Sequence, residues 1–205
     1  NHPGATGPAT VRAAIAEANA YIEAGDPASA LALLEPYEDA GRGDVYETMA
    51  TAFSAEGDTA FAAFYYEQAA QTDPNRKALH YDAARKYADM ENWPEAAANA
   101  RAFVEAYPEN ALAHKLLGQA LLEQDKFKLA LDAYLKAFRL SGANPTVEER
   151  LTVAQLFYRM GNFAQAEVWY EQAENAAGTS ALRPQALMGL VATAYRQRDW
   201  AMTEQ

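Results

Sequence analysis

Two stretches of this chain repeat one pattern 34 positions apart: NWPEAAANARAFVEAYP at 92–108 and KFKLALDAYLKAFRLSG at 126–142. Each begins with a polar and an aromatic residue, and an alanine follows three positions later, at Ala96 and Ala130. Small and large apolar residues then recur every three to four positions, which is typical of an amphipathic helix. A helical unit that recurs at this interval predicts a solenoid of paired helices.

The same pattern extends over most of the chain. Alanines mark the equivalent position in five segments, with spacings of 32, 34, 34 and 36 residues: Ala30, Ala62, Ala96, Ala130 and Ala166. A second set of small residues lies twelve positions before these: Ala18, Ala50, Ala84, Gly118 and Ala154. Small residues at both places let two helices approach to about 8–10 Å. We therefore expect the alanines from Ala62 to Ala166 to be buried at helix crossings.

The composition supports an all-α fold and excludes several classes of function. The 205 residues include 48 Ala but only 7 Val and 2 Ile, which favours helices over strands. The absence of Cys excludes disulfides, thiolate zinc sites and thiol catalysis. A net charge of −11 argues against nucleic acid or an anionic membrane as the partner. No apolar run approaches the ~20 residues that span a bilayer, so we expect no membrane insertion.

The pattern divides the chain into a lead-in and six repeats. Residues 1–10 are rich in Gly, Pro, Ala and Thr, and are expected to be a flexible lead-in. A solenoid of repeats is expected at 11–42, 43–76, 77–110, 111–146 and 147–180, with a partial sixth repeat at 184–205. The segment Arg198-Asp199-Trp200 should begin the second helix of that sixth repeat, shortly before the sequence stops at Gln205. We therefore expect the chain to be a piece of a longer protein.

This pattern resembles the tetratricopeptide repeat (TPR) family over about residues 11–205. The signature consists of Gly or Ala, then Tyr or Phe, Ala, Tyr or Phe, Ala and Pro at fixed offsets within 34 residues. The third repeat carries Ala84, Tyr87, Ala96, Ala100, Phe103 and Pro108 at these six places, with the fourth and fifth residues, Ala100 and Phe103, exchanged in size. The resemblance implies an α-α superhelix whose first helices line a concave groove. It also implies a non-catalytic scaffold that binds an extended peptide or a helix of another protein.

By the same resemblance, positions 2, 5, 9 and 12 of each repeat face the groove. From the third repeat onward, apolar and aromatic side chains with polar neighbours stand there: Tyr81, Arg85, Leu112, Lys115, Gln119, Leu122, Leu151, Gln155, Tyr158, Met188 and Tyr195. Such a mixture suits an amphipathic segment. Asp44 and Glu47 make the N-terminal end of the groove acidic, so a ligand that is basic at that end is expected. The Lys, Asn and Arg set with which some family members grip chaperone tails is absent in every register.

We expect no catalytic residue, cofactor or metal site. The sequence contains no Gly-rich phosphate loop, nucleophile elbow or Ser/His/Asp spacing. His80 and His114 lie 34 residues apart, on adjacent first helices, but no Asp or Glu occupies the matching position of the next repeat. We interpret both as packing residues. Carboxylate pairs such as Glu148 and Glu149 lie at predicted helix starts, where negative charge complements the helix dipole.

Two other functions remain open at the level of sequence. The chain could be a structural or self-assembly module of a larger bacterial envelope or export protein, which forms homo-oligomers or contacts neighbouring domains of its parent chain. It could instead be the regulatory arm of an enzyme that lies outside this sequence. The absence of Cys agrees with the envelope interpretation. We expect a soluble protein, and a periplasmic location is favoured over a cytoplasmic one.

Overall fold

The computed structural model describes the backbone of residues 8–203 and the side chains of residues 10–198. Within that range the chain is entirely helical and contains no strand, which confirms the all-α prediction. Short 3-10 turns at Glu35–Ala40 and Pro74–Arg76 join some of the helices. The α-helices of the described residues are α1 (Pro8–Glu23), α2 (Pro27–Leu34), α3 (Gly43–Glu56), α4 (Thr59–Thr72), α5 (Leu79–Asp89), α6 (Trp93–Ala106), α7 (Ala111–Leu122), α8 (Phe127–Ser141), α9 (Val147–Arg159), α10 (Phe163–Ala177) and α11 (Arg183–Thr203).

The first and last helices differ from the sequence-based expectation. Helix α1 begins at Pro8, so residues 8–10 of the predicted lead-in are helical, while residues 1–7 lie outside the described part of the chain. Proline suits a first helical turn, where its missing N–H would have no partner. Helix α11 continues through Arg198-Asp199-Trp200 to Thr203, where we predicted that a separate second helix begins. No Gly or Pro interrupts this segment, so nothing in its local sequence ends the helix.

The helices pack in sequential pairs, and the small residues of the repeat pattern are buried. Helix α1 packs on α2, α3 on α4, α5 on α6 and α9 on α10, while α1 also contacts α3 and α9 contacts α11. Ala62, Ala96, Ala130 and Ala166 are completely buried, as predicted. The alanines that lie twelve positions before the equivalent alanines of each repeat are also completely buried: Ala18, Ala50, Ala84 and Ala154. The size pattern of the sequence therefore identified these buried positions correctly.

The chain divides into two compact units, which we call unit 1 (residues up to Ala120) and unit 2 (residues from Leu121). The core of the first two repeats of unit 1 includes Val11, Leu34, Val45 and Tyr65. Phe53 packs parallel to the Tyr65 ring, with the ring centroids 5.3 Å apart. Burial and the hydrogen bond from its hydroxyl to the Glu38 carboxylate raise the pKa of Tyr65, so this phenol stays neutral.

Unit 2 has its own core and a firmly fixed helix start. Leu151, Ala154, Ala166, Tyr170 and Ala186 are buried together where α9, α10 and α11 meet. At the start of α9 the Thr146 hydroxyl accepts from the backbone N–H of Glu149, and the Glu149 carboxylate accepts from the N–H of Thr146. This reciprocal cap gives Glu149 the structural role that we expected for carboxylates at a helix start.

None of the described helices is both long and apolar enough to cross a membrane.

Candidate functional site

Five of the predicted groove residues line one cleft in unit 1. The cleft has a volume of about 350 Å³ and lies between the exposed faces of α5 and α7. Helix α5 contributes Tyr81, Arg85, Ala88 and Asp89, and helix α7 contributes Leu112, Lys115, Leu116 and Gln119. We call these residues the first-helix cleft.

Helical periodicity explains why these residues share one surface. Residues three, four and seven positions apart lie on the same side of a helix, so Tyr81, Arg85 and Ala88 face one way on α5. The buried Ala83 and Ala84 occupy the packed side of that helix. Sequence analysis missed the cleft residues Asp89 and Leu116, although each lies four positions from a predicted residue. A search by helix face, rather than by fixed repeat positions, could have found them.

The first-helix cleft combines an apolar surface with charges of both signs. Leu112 is 65% exposed and supplies apolar surface to the cleft. The Tyr81 ring is held against Phe103 of α6, with centroids 5.3 Å apart, so its position is fixed from behind. Arg85 and Lys115 carry positive charge into the cleft and Asp89 carries negative charge. Such a surface can contact an apolar side chain and pair with an acidic neighbour.

A half-buried carboxylate lies beside the cleft on α5. Burial raises the pKa of Asp82, and the positive charges of Arg85 and Lys86 offset only part of that effect. The carboxylate is therefore less stable in the folded protein than in the unfolded chain. Asp82 contributes negative charge close to the cleft at a cost in folding free energy.

At the N-terminal end of the predicted groove, arginines of the same chain pair with the acidic side chains and offset their negative charge. Arg42 forms a bidentate pair with Asp44, with Nη2–Oδ2 and Nε–Oδ1 distances of 2.6 and 3.0 Å. This pairing lowers the pKa of Asp44. Arg76 pairs with both Glu47 and Asp73. Because internal arginines already satisfy Asp44 and Glu47, the expectation of a basic ligand end at this place loses its support.

In unit 2, two predicted residues line a smaller cleft. Leu122 and Gln155 border a space of about 240 Å³, together with Thr152 and Arg159 of α9. The Arg159 guanidinium lies 3.5 Å from the Asp125 carboxylate and 5.2 Å from the centre of the Phe127 ring. The arginine is therefore held in place by an ion pair and a cation–π contact. This cleft is smaller than the first-helix cleft, and its lining is mostly polar.

The other predicted residues of unit 2 have different environments. Leu151 is only 3% exposed and packs in the core, so its assignment to the groove is wrong; the helix turns this position toward α10 and α11. Tyr158 is half-buried, with its ring edge-on to Phe163 at a centroid distance of 5.5 Å. Met188 and Tyr195 on α11 are 72% and 67% exposed. Of these four residues, only the two on α11 present most of their side chain to solvent.

The two histidines make separate hydrogen bonds. The Nδ1 atom of His80 lies 2.7 Å from the Oδ1 atom of Asn99, a buried residue of α6. The Nε2 atom of His114 lies 2.9 Å from the carbonyl oxygen of Pro108. The two imidazoles therefore bond to different groups. The described residues contain no group of three or more His, Asp or Glu arranged to hold a metal ion.

Comparison with known proteins supports the repeat assignment. Residues 81–145, which include the first-helix cleft, match a family model described as tetratricopeptide repeat. No curated protein gives a significant match.

Similar solved structures include three of the protein MamA. MamA from Desulfovibrio magneticus RS-1 is 18% identical, with a TM-score of 0.60, and the match covers 80% of this chain and 93% of that one. MamA AMB-1 is 20% identical, with a TM-score of 0.66 and coverages of 84% and 94%. MamA MSR-1 is 20% identical, with a TM-score of 0.62 and coverages of 82% and 97%. Identities this low show a shared fold and nothing more. Residues 81–145 thus match a tetratricopeptide repeat model, and the chain shares the all-α fold of paired helices with these structures.

Proposed function

We propose that this protein is a non-catalytic scaffold that binds a peptide segment of a partner protein in the first-helix cleft. The observation that carries the proposal is the convergence of Tyr81, Arg85, Leu112, Lys115 and Gln119 on one cleft. Repeat positions alone predict that these five residues share a surface.

The side chains of the cleft favour a particular kind of segment. Leu112 and Tyr81 offer an apolar contact to a leucine-like or aromatic anchor, and such anchors dominate the binding energy of interfaces. Arg85 and Lys115 favour an acidic residue beside that anchor, whereas Asp89 disfavours a second acidic residue on its own side. We infer that the ligand is an amphipathic segment with one apolar anchor and a flanking carboxylate.

Selection of binders from a random peptide library, followed by calorimetry, tests the proposal. Leu112→Ala should weaken the selected peptides by about tenfold or more, because it removes an exposed anchor. Leu129→Ala is the matched control, since Leu129 is a 50% exposed leucine on the second helix of its pair. Equal affinities for the two variants, or a selection that yields no binder, would overturn the proposal.

A second candidate function is self-association through α11. Leu187, Met188, Val191 and Tyr195 are all exposed on this helix, and they lie at spacings that place them on one side of it. A stripe of large apolar side chains in contact with water is typical of an interaction surface. Sedimentation velocity over a wide concentration range tests this function. Val191→Asp should shift an associating chain toward monomer, and a wild-type chain that is monomeric throughout would exclude this candidate.

A further inference from the structure

A second and larger cavity lies in unit 2, on elements that the proposed peptide cleft does not use. It has a volume of about 650 Å³ and lies between α8, the loop that follows it and α10. Leu135, Phe138, Pro145 and Trp169 give it apolar walls, and Asp132 and Arg139 add charges of opposite sign. Its size falls within the range of about 300–1,000 Å³ that is usual for pockets that bind small molecules.

The cavity is found where the repeat pattern is irregular. The spacing from Ala130 to Ala166 is 36 residues, against 34 for the two preceding spacings. Helix α9 begins 17 residues after Ala130, whereas α7 begins 15 residues after the equivalent Ala96. The two additional residues therefore lie between Ala130 and the start of α9. The loop in this interval supplies one wall of the cavity through Ala143 and Pro145.

That loop is held firmly on both sides. Gly142 ends α8 in the left-handed conformation, with φ of 62°, which glycine adopts without strain. The Nε atom of Arg150 donates to the carbonyl oxygen of Pro145 at 3.0 Å, and its Nη1 atom donates to Gln172 of α10 at 3.2 Å. Thr146, which follows Pro145, is fixed by its capping hydrogen bonds at the start of α9. The wall is thus formed in advance, and a ligand would not have to order it.

The walls and the charges together define the ligand chemistry. The rings of Phe138 and Trp169 lie 6.4 Å apart between centroids and border the space with aromatic surface. Such surface favours a flat or bulky apolar side chain. Asp132 and Arg139 are seven residues apart on α8, which places them on the same side and about 10.5 Å apart along the helix axis. Three extended residues span about the same distance, at 3.3–3.6 Å per residue.

We propose that this cavity binds a short zwitterionic peptide of about three residues with a central apolar side chain. The side chain packs on the apolar surface that Phe138, Pro145 and Trp169 form together. The terminal carboxylate pairs with Arg139, and the terminal ammonium pairs with Asp132. Each charge of the site thereby meets its opposite, whereas a simple anion or cation would meet one like charge. The site is independent of the first-helix cleft, because it uses the second helices α8 and α10.

Calorimetric titration of the 205-residue chain with the tripeptide Ala-Phe-Ala tests the site. The peptide with free termini should bind saturably in the millimolar range or tighter, and blocking both termini by acetylation and amidation should weaken binding at least about tenfold. Arg139→Gln and Asp132→Asn should each weaken the free peptide by several fold. Lys128→Gln is the matched control, because Lys128 is exposed on α8 outside the cavity and its loss changes the charge equally.

Two further measurements distinguish binding in this cavity from binding elsewhere on the protein. In NMR spectra the indole N–H signal of Trp169, assigned by its loss in Trp169→Phe, should shift on titration. Leu112→Ala should leave tripeptide binding unchanged, so the first-helix cleft and this cavity are tested separately. Absence of saturable binding, equal binding of the free and blocked peptides, or equal losses in the Lys128→Gln and Arg139→Gln variants would overturn the proposal.

Discussion

Replacement of Gly189 by alanine tests the packing of α11 on α10. Gly189 lies inside α11, where an added Cβ atom would come within 2.5 Å of the Cδ1 and Cζ atoms of the Tyr170 ring. Tyr170 is buried in the unit 2 core beside Leu151 and Ala186, so its ring cannot move aside without displacing these neighbours. A methyl group at this position therefore overpacks the contact between the two helices.

The expected magnitude is the difference of two opposing effects. Alanine is better than glycine in a helix interior by about 0.8–1.0 kcal/mol. Overpacking a well-packed core costs about 1–3 kcal/mol. With the overpacking cost near the middle of that range, the net loss is about 1 kcal/mol. A chain of about this size loses about 2–4 °C in Tm for such a change.

Thermal unfolding followed by circular dichroism measures this loss. Ala194→Gly is the matched control, because Ala194 is an exposed residue of the same helix and its replacement reports only helix propensity. We expect both variants to melt below the wild type. A Gly189→Ala variant that gains as much Tm as the control loses would show that no ring faces Gly189, and would refute the described packing of α10 and α11.

Three further predictions concern stability and the role of single side chains. Ala130→Leu should cost about 1–3 kcal/mol by overpacking a helix crossing, and an unchanged Tm would show that the repeat phase is wrong. Because burial raises the pKa of Asp82, the wild type gains stability as pH falls through that raised pKa. Asp82→Asn should therefore have a higher Tm than the wild type at neutral pH, and the difference in Tm should shrink as pH approaches the ordinary pKa of 3.8. A constant difference in Tm across a pH series would contradict this. Tyr158→Ala should lower Tm because its ring packs on Phe163, whereas Tyr195→Ala should leave Tm nearly unchanged, and equal losses would contradict the exposure of Tyr195.

The fold could be predicted from the sequence because one size pattern recurs in phase. Alanines at fixed offsets indicate where helices cross. Their burial depends on the spacing between repeats, which can be counted in the sequence. The helix ends were harder to predict, because they depend on local chemistry. Helix α2 ends at Leu34, where a 3-10 turn follows, since Pro36 has no N–H to donate to the helical ladder.

The candidate site could be predicted only in part. Repeat positions grouped Tyr81 and Leu112, which line one cleft, because a first helix turns the same face outward in each regular repeat. They failed for Leu151, which the arrangement of α9, α10 and α11 buries. The pairing of Glu47 with Arg76 was also missed, since those residues are 29 positions apart and meet only after the helices pack. The cavity beside Trp169 left a single trace in the sequence, the spacing of 36 residues.

Photo-crosslinking of a selected peptide to the wild-type chain tests the central claim most directly. The peptide is obtained by library selection and carries a photo-reactive leucine analogue at its apolar anchor, and the crosslinked residues are identified by mass spectrometry. We predict crosslinks on the exposed faces of α5 and α7, at Tyr81, Leu112 or their cleft neighbours, with few on the exposed Leu129 of α8. Crosslinks concentrated on the second helices, or spread evenly over both helices of each pair, would contradict the account.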